Sequence, residues 1–331
     1  HELANTVEHN HLVVDRVTDS GQHGGDERLV NFEAEGHPAP ADGVHTNDKE
    51  GVDAQRYYRT YGEGNVAEAD ENVEEVGHTC KKINEIATSV FQGLHSRAFK
   101  QLSNLLGGRG KQPALGNSIL TYVFKANEKP LYRMRKMENR RDVNYRDLFH
   151  IPLNKRGIVN TNRFSAPGYP CLYLGTSIYA CWEELGRPPM SQSMVARLSN
   201  GVDLCLLDLR VPTQQQFSDH IIDYIRAYPL IIACSVKVKN ADALFKPEYA
   251  IPQLLMEYVI NNNVNHKVEN RISGIYYTSV FKNDDFGYGI DKLENIAIPV
   301  QSPLSSKKYC RRLCCMFNLS KPTCDEMEHI K

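Results

Sequence analysis

The chain has 331 residues and is 41% hydrophobic, enough apolar material for one large domain or two ordinary ones, which excludes a wholly disordered protein. Its formal net charge of −1 hides a segregation: residues 1–76 hold 18 Asp/Glu against 5 Lys/Arg, and the rest holds 34 Lys/Arg against 22 Asp/Glu, so about −13 stands against about +12. The basic part suits an anionic substrate, and with neither an apolar run long enough to cross a bilayer nor a basic-then-apolar signal segment, the expectation is a soluble, cytoplasmic protein.

In chain order, residues 1–76 are acidic, poor in large aliphatics and broken by Gly and Pro clusters. Such a segment buries too little apolar surface to offset its ordering entropy and reads as flexible, either a solubilising tail or an acidic cover for the basic region. Over 80–106, Ile83, Ile86, Val90, Leu94, Ala98, Leu102 and Leu105 recur at spacings of three and four, which predicts one amphipathic helix stopped by Gly107 and Gly108. Residues 107–116 then serve as a linker. Beyond Ile119, strands are predicted over 131–134, 171–174, 193–198, 202–209, 274–280 and 295–299, and helices over 177–185, 218–228 and 252–261. That order lacks the cadence of a doubly wound sheet and predicts an α+β domain built on a mixed, split β-sheet with flanking helices and an N-terminal helical extension. The division is 1–76 acidic segment, 77–116 helix and linker, 117–305 catalytic domain and 306–331 cysteine-containing tail.

Four segments carry residues that could do chemistry. In Leu131-Tyr132-Arg133-Met134-Arg135 two arginines alternate with other residues along a strand, so both guanidinium groups share a face and could take an anion, unless that face is merely solvated. Arg163 stands in a Pro/Gly-punctuated loop feeding the strand of Tyr173, a good place for a two-pronged grip on phosphate or for an ordinary surface arginine. In the helix at 177–185, Glu183 and Glu184 lie about 100° apart around the axis, so only one can share the inner face with Cys181 beside the sole tryptophan, Trp182. An inward carboxylate there would be desolvated and tuned; both could equally be solvated helix charges. Ser279 ends the strand of Tyr276 and Tyr277, where a hydroxyl can meet a phosphate or ribose oxygen or simply cap a turn. No His–Asp arrangement accompanies it, which argues against a serine-nucleophile hydrolase.

Taken together and in order, these segments, with Cys181-Trp182-Glu183-Glu184-Leu185, Phe245-Lys246-Pro247-Glu248-Tyr249 and Pro252-Gln253-Leu254-Leu255, resemble the RES domain, a family named for its Arg, Glu and Ser. The resemblance spans about 129–300. It implies a fold related to ADP-ribosyltransferases and cleavage of the nicotinamide–ribose bond of NAD⁺ by water or phosphate, in proteins that often act as toxins or growth-arrest effectors restrained by an antitoxin or immunity partner. It also implies a homodimer, and NAD⁺ as substrate. Carried over by position, the family's first Arg falls on Arg133, its loop Arg on Arg163, its strand Tyr on Tyr173, its Glu on Glu184, with Glu183 also able to satisfy the pattern, and its Ser on Ser279.

On that resemblance, Glu184 steadies an oxocarbenium-like ribose as carboxylates do in glycoside hydrolysis. Arg133 and Arg163 hold the pyrophosphate, with Arg135 as a further anion contact. Tyr173 packs against the nicotinamide or its ribose, and Ser279 binds a phosphate or ribose oxygen. Rival readings are ADP-ribosyl transfer to a protein and a non-catalytic NAD or ADP-ribose binding module. Nucleic-acid binding ranks last, because the arginines are dispersed among apolar strands and no basic stripe exists.

The nine cysteines fall at irregular intervals, and Cys171, Cys181, Cys205 and Cys234 sit in apolar runs as small buried hydrophobes would, which reads as reduced and intracellular. Cys310, Cys314, Cys315, Cys324 and His329 form no paired C-x-x-C, so no metal is expected.

Overall fold

The structure, a computed structural model, describes residues 66–107, 115–137, 143–265, 271–279, 293–301 and 308–323. The acidic segment up to residue 65 and most of the expected linker, 108–114, lie outside the described residues. Helix already begins at Val66, inside the stretch read as flexible: α1 spans Val66–Phe91 and α2 spans His95–Gly107.

The single helix expected over 80–106 is therefore two. Gly93 adopts φ +75°, a left-handed conformation that a side chain would strain, and the Leu94 N–H bonds back to the Ser89 carbonyl at 2.8 Å, closing α1 with a glycine cap. The apolar periodicity runs unbroken through this turn because the two helices bury one continuous set, Ile83, Ile86 and Val90 from α1 with Ala98, Leu102 and Leu106 from α2. Leu94, on the turn itself, is exposed. A short helix α3, Leu115–Ser118, follows.

The sheet holds eight strands: β1 Thr121–Phe124, β2 Leu131–Lys136, β3 Cys171–Gly175, β4 Ser193–Asn200, β5 Leu204–Leu209, β6 Gly274–Thr278, β7 Glu294–Pro299 and β8 Phe317–Leu319. Their order is β1-β5-β6-β7-β3-β2-β4-β8, and every pairing is antiparallel except the parallel pair β5–β6. With helices α4 Ile178–Glu184, α5 Gln214–Asp219, α6 Ile221–Ser235, α7 Ala250–Asn265 and α8 Arg311–Met316 around it, this is the α+β class with a mixed sheet. The helix expected over 218–228 is again two, α5 and α6, parted at His220, whose ψ of 38° leaves the helical range.

Alternation along the strands sends Tyr173, Ile275, Tyr277 and Ala297 to the face beneath α1, α2, α6 and α7, and Leu172, Leu174, Tyr276, Ile296 and Ile298 to the face closed by Leu313 and Met316 of α8. Both faces of the central strands are thus buried. The sheet is not uniformly zipped, however. β2 shares six register pairs with β4 and β3 shares five with β7, but β2 and β3 meet at one pair only, Tyr132 with Gly175. The strands part beside that pair, and the opening becomes the wall of a cavity.

Candidate active site

The cavity has a volume of about 360 Å³ and is lined by β2, β3, the inner side of α4, the loop 159–170, and Tyr249, Tyr277 and Asn295. At about 30 Å³ per water it has room for roughly a dozen waters, at the lower end of the range for small-ligand sites. Three guanidinium groups, Arg133, Arg135 and Arg163, and one carboxylate, Glu184, face it, so the lining is positive by two charges.

Arg133 and Arg135 both line it from β2. Arg133 donates from Nη1 to the Tyr173 carbonyl at 2.6 Å across the opening between the strands, while its Nε is buried with no hydrogen-bond partner among the described residues. Burial, then the neighbouring Arg135, pulls its pKa down to about 9, so it remains cationic at neutral pH. Arg135 donates from Nη2 to the Phe149 carbonyl at 2.9 Å, and burial lowers its pKa as well. Two guanidinium groups side by side in the lining of a cavity are suited to an anion.

Arg163 rides a tight turn in which Asn162 and Ser165 exchange backbone hydrogen bonds of 2.9 and 3.1 Å, with Phe164 at the tip wholly buried against the Tyr277 ring at 4.9 Å. It is 8% exposed, so it is not an ordinary surface arginine. Its Nη1 donates to the carbonyls of Cys234 at 2.8 Å and Val236 at 3.0 Å, which belong to the C-terminal end of α6, where a cation meets the negative end of the helix dipole. The guanidinium also lies 5.3 Å from the centre of the Tyr249 ring.

Tyr173 links these arginines. Its carbonyl receives Arg133, and its hydroxyl accepts from the Phe164 N–H at 3.2 Å and meets Ser165 Oγ at 3.0 Å, pinning the turn that carries Arg163. Burial pushes the phenol well above its ordinary pKa, so it stays protonated.

α4 starts where β3 ends. Ser177 Oγ accepts from the Ala180 N–H at 3.0 Å, a side-chain N-cap that turns the chain sharply out of the strand. Gly175 makes that turn fit, since a Cβ there would stand 2.7 Å from Cys181 Sγ and 3.0 Å from the Ser177 carbonyl. The two adjacent glutamates separate as their angular spacing requires. Glu183 is 5% exposed and takes Arg187 Nε at 3.0 Å on both oxygens; burial pushes its carboxyl up, but Arg187 and Tyr179 bring it below the usual range.

Glu184 faces the cavity. Its Oε1 accepts from Ser279 Oγ at 2.6 Å and from Asn295 Nδ2 at 2.8 Å. Burial raises its pKa above the ordinary carboxylate value, opposed in decreasing order by Ser279, Arg163 and Asn295. Ser279 lies one residue past β6, 4% exposed, with its N–H on the Leu293 carbonyl at 2.7 Å.

All six residues singled out in the sequence thus come to one place: Arg133, Arg135, Arg163, Tyr173 and Glu184 line the cavity, and Ser279 is bonded to Glu184. Asn295, Tyr249 and Tyr277 were not anticipated. Tyr249 ends the segment Phe245-Lys246-Pro247-Glu248-Tyr249 that carries part of the resemblance, but Asn295 opens an apolar strand and gives no local sign of the carboxylate it meets. Among the described residues no group of three or more His, Cys, Asp or Glu is placed to hold a metal. In the tail, Cys310 is buried and Cys314 and Cys315 are exposed, while Cys324 and His329 lie outside the described residues. No helix among the described residues is long and apolar enough to cross a membrane.

The chain is 38% identical over 191 residues to a Bacillus subtilis (strain 168) protein named "Putative toxin YopC", an alignment covering 53% of this chain and 42% of that protein. The chain therefore spans less than half the length of this relative. No solved structure matches it. The model of the RES domain matches residues 130–298, an interval that takes in every residue lining the cavity. Because this match covers just over half of the chain and encloses its arginines, carboxylate and serine, the chain belongs to the RES domain family.

Proposed function

We propose that the chain is an NAD⁺-degrading enzyme that cleaves the nicotinamide–ribose bond with water or phosphate as acceptor, and that it acts as a toxin. The observation that carries this reading is one cavity in which a desolvated carboxylate, Glu184, stands with three guanidinium groups. NAD⁺ needs both: two negative charges on its pyrophosphate, and a sugar carbon that becomes cationic as its base departs. The name of the Bacillus subtilis relative supports the toxin role, and family resemblance supports an antitoxin or immunity protein as partner and a homodimer.

In this mechanism Arg133 and Arg135 beside it grip the pyrophosphate. Arg163, tied to the end of α6, adds a fixed positive charge near Glu184. Tyr173 offers its ring to the nicotinamide or its ribose, its hydroxyl being engaged with Phe164 and Ser165. The C–N bond breaks with its electron pair leaving on nicotinamide, and the ionised Glu184 stabilises the oxocarbenium-like ribose. Water or phosphate then attacks that carbon, giving ADP-ribose after loss of a proton, or ADP-ribose phosphate. Ser279 donates to Glu184 and so orients the carboxylate.

The test is incubation of the purified chain with NAD⁺, with and without phosphate, followed by product identification. Free nicotinamide with ADP-ribose or its phosphate is expected, and Glu184→Gln should lower the rate at least about 100-fold. Intact NAD⁺, or a Glu184→Gln variant as fast as the parent, overturns the proposal. A labelled protein in place of a small product moves the reading to ADP-ribosyl transfer.

A further inference from the structure

We infer that Asn295 is a positioning residue for Glu184, holding one carboxylate oxygen so that the other, Oε2, is presented to the substrate. This rests on the reading of Glu184 given above, and it assigns a part to a residue outside the Arg, Glu and Ser set.

The geometry is specific to one oxygen. Asn295 Nδ2 and Ser279 Oγ both donate to Oε1, at 2.8 and 2.6 Å, and Oε2 takes no hydrogen bond from the described residues. A carboxylate only accepts, so the amide must turn its nitrogen, not its oxygen, toward Glu184. Two donors on one oxygen fix the plane of the carboxylate and localise charge there, leaving the second oxygen directed into the cavity. An amide has no titration of its own in the working range, so this donor is constant with pH, as a His or Asp at the same position would not be.

Asn295 itself is held from three directions. It is 4% exposed and lies in register with Gly175 of β3 on one side and Tyr277 of β6 on the other. The preceding residue, Glu294, points to the opposite face, where it accepts from the Tyr276 hydroxyl at 2.5 Å and pairs with Arg210 at 3.4 Å. The start of β7 is therefore braced behind the amide. Glu184 is also faced by Arg163 from the loop, by Tyr249, by Tyr277 of β6 and by Cys181 of its own helix; of these only Arg163 is charged at neutral pH, and it acts on the carboxylate in the same sense as the two donors.

Asn295→Ala removes one donor, and the nearly isosteric Asn295→Asp replaces it with a like charge, so each should raise the pKa of Glu184, the second more. The first readout is the titration of the Glu184 carboxyl followed by carbon-13 NMR in the full chain, with its signal assigned by its loss in Glu184→Gln. The midpoint should move up by about one pH unit in Asn295→Ala, the equivalent of about tenfold, and further in Asn295→Asp. The second readout is NAD⁺ cleavage: kcat should fall on the order of ten- to a hundredfold, with KM changing far less. In a Glu184→Gln background the Asn295→Ala change should cost nothing more, since a residue acting through Glu184 has nothing left to act on. A Glu184 midpoint that stays put in both variants, or a loss that simply adds to that of Glu184→Gln, overturns the inference. Should Asn295→Ala not fold, Asn295→Asp carries the same titration. Because that titration uses no NAD⁺, a parent protein that leaves NAD⁺ intact would overturn the proposed reaction, and the NMR midpoint would still decide the role of Asn295.

Discussion

Arg133 reaches across the parted strands β2 and β3 to donate to the Tyr173 carbonyl at 2.6 Å. One nitrogen of its fork thus anchors the side chain on protein, while the guanidinium still lines the cavity. Lysine at this position would keep the charge but not the fork. Arg133→Lys should therefore raise KM for NAD⁺ and lower kcat/KM by roughly ten- to a hundredfold, with a smaller change in kcat. Steady-state measurement of nicotinamide release checks it, and an unaltered KM would count against the assigned role.

Burial raises the pKa of Glu184, and the proposed chemistry needs the ionised form. As pH falls, an elevated pKa means the carboxyl takes up its proton sooner than an ordinary glutamate would. The rate should accordingly rise with pH along an acid limb whose midpoint lies above the ordinary value of 4.5. Ser279→Ala deletes the donor at 2.6 Å, the first of the groups that oppose burial, and should shift that limb to still higher pH. A pH–rate profile of each protein is the measurement.

The Tyr173 hydroxyl accepts from the Phe164 N–H and meets Ser165 Oγ, so Tyr173→Phe leaves a buried backbone donor unpaired. The expected cost is about 1–3 kcal/mol of stability. Urea denaturation should show a lower midpoint at unchanged slope. Loosening the turn at Asn162–Ser165 should also weaken NAD⁺ binding through Arg163, although the ring that would face the nicotinamide is still present.

His150 is fully enclosed, its Nδ1 donating to the Ile151 carbonyl at 2.8 Å and its Nε2 accepting from the Cys310 N–H at 3.0 Å. Those two bonds require the neutral ring. Burial, helped by Arg133 and Arg135, pushes its pKa down to about 4 from the ordinary 6.5. The unfolded chain therefore binds this proton first as pH falls, so stability is complete above about pH 6.5 and declines toward pH 4, by about 3 kcal/mol in all. Denaturation of the parent and of His150→Gln, which has no proton to gain there, should show the acid loss in the parent and a flatter profile in the variant over that window.

Much of this arrangement is legible in the sequence because it depends on short-range periodicity. Six strands follow from alternation and from residue types that favour them. The short strands β1 and β8, of four and three residues, are too brief to show a period, and their existence rests on pairing with β5 and β4. The break at Gly93 is hidden because the two helices of the hairpin bury one apolar set, so the spacing continues through the turn. Glu183 and Glu184 differ only in which neighbour each meets: Arg187 is in the sequence four residues on, but Ser279 and Asn295 arrive from 95 and 111 residues away. Arg163 looks like a loop arginine until the end of α6 is brought against it.

The seam at Tyr132 and Gly175 divides the sheet into one wing of β2, β4 and β8, which brings Arg133 and Arg135, and another that brings Tyr173 and Asn295, while α4, packed through Cys181 against Met134 and Val195 of the first wing, carries Glu184 across to Asn295 of the second. Few backbone bonds hold the wings together there, so a phosphate-bearing molecule bridging both would act as a staple in their place. Occupancy and rigidity would be thermodynamically coupled: ligand should slow amide exchange along the facing edges of β2 and β3 far more than within the well-zipped pair β2–β4, and anything that pries the wings apart would undo the cavity without touching its carboxylate.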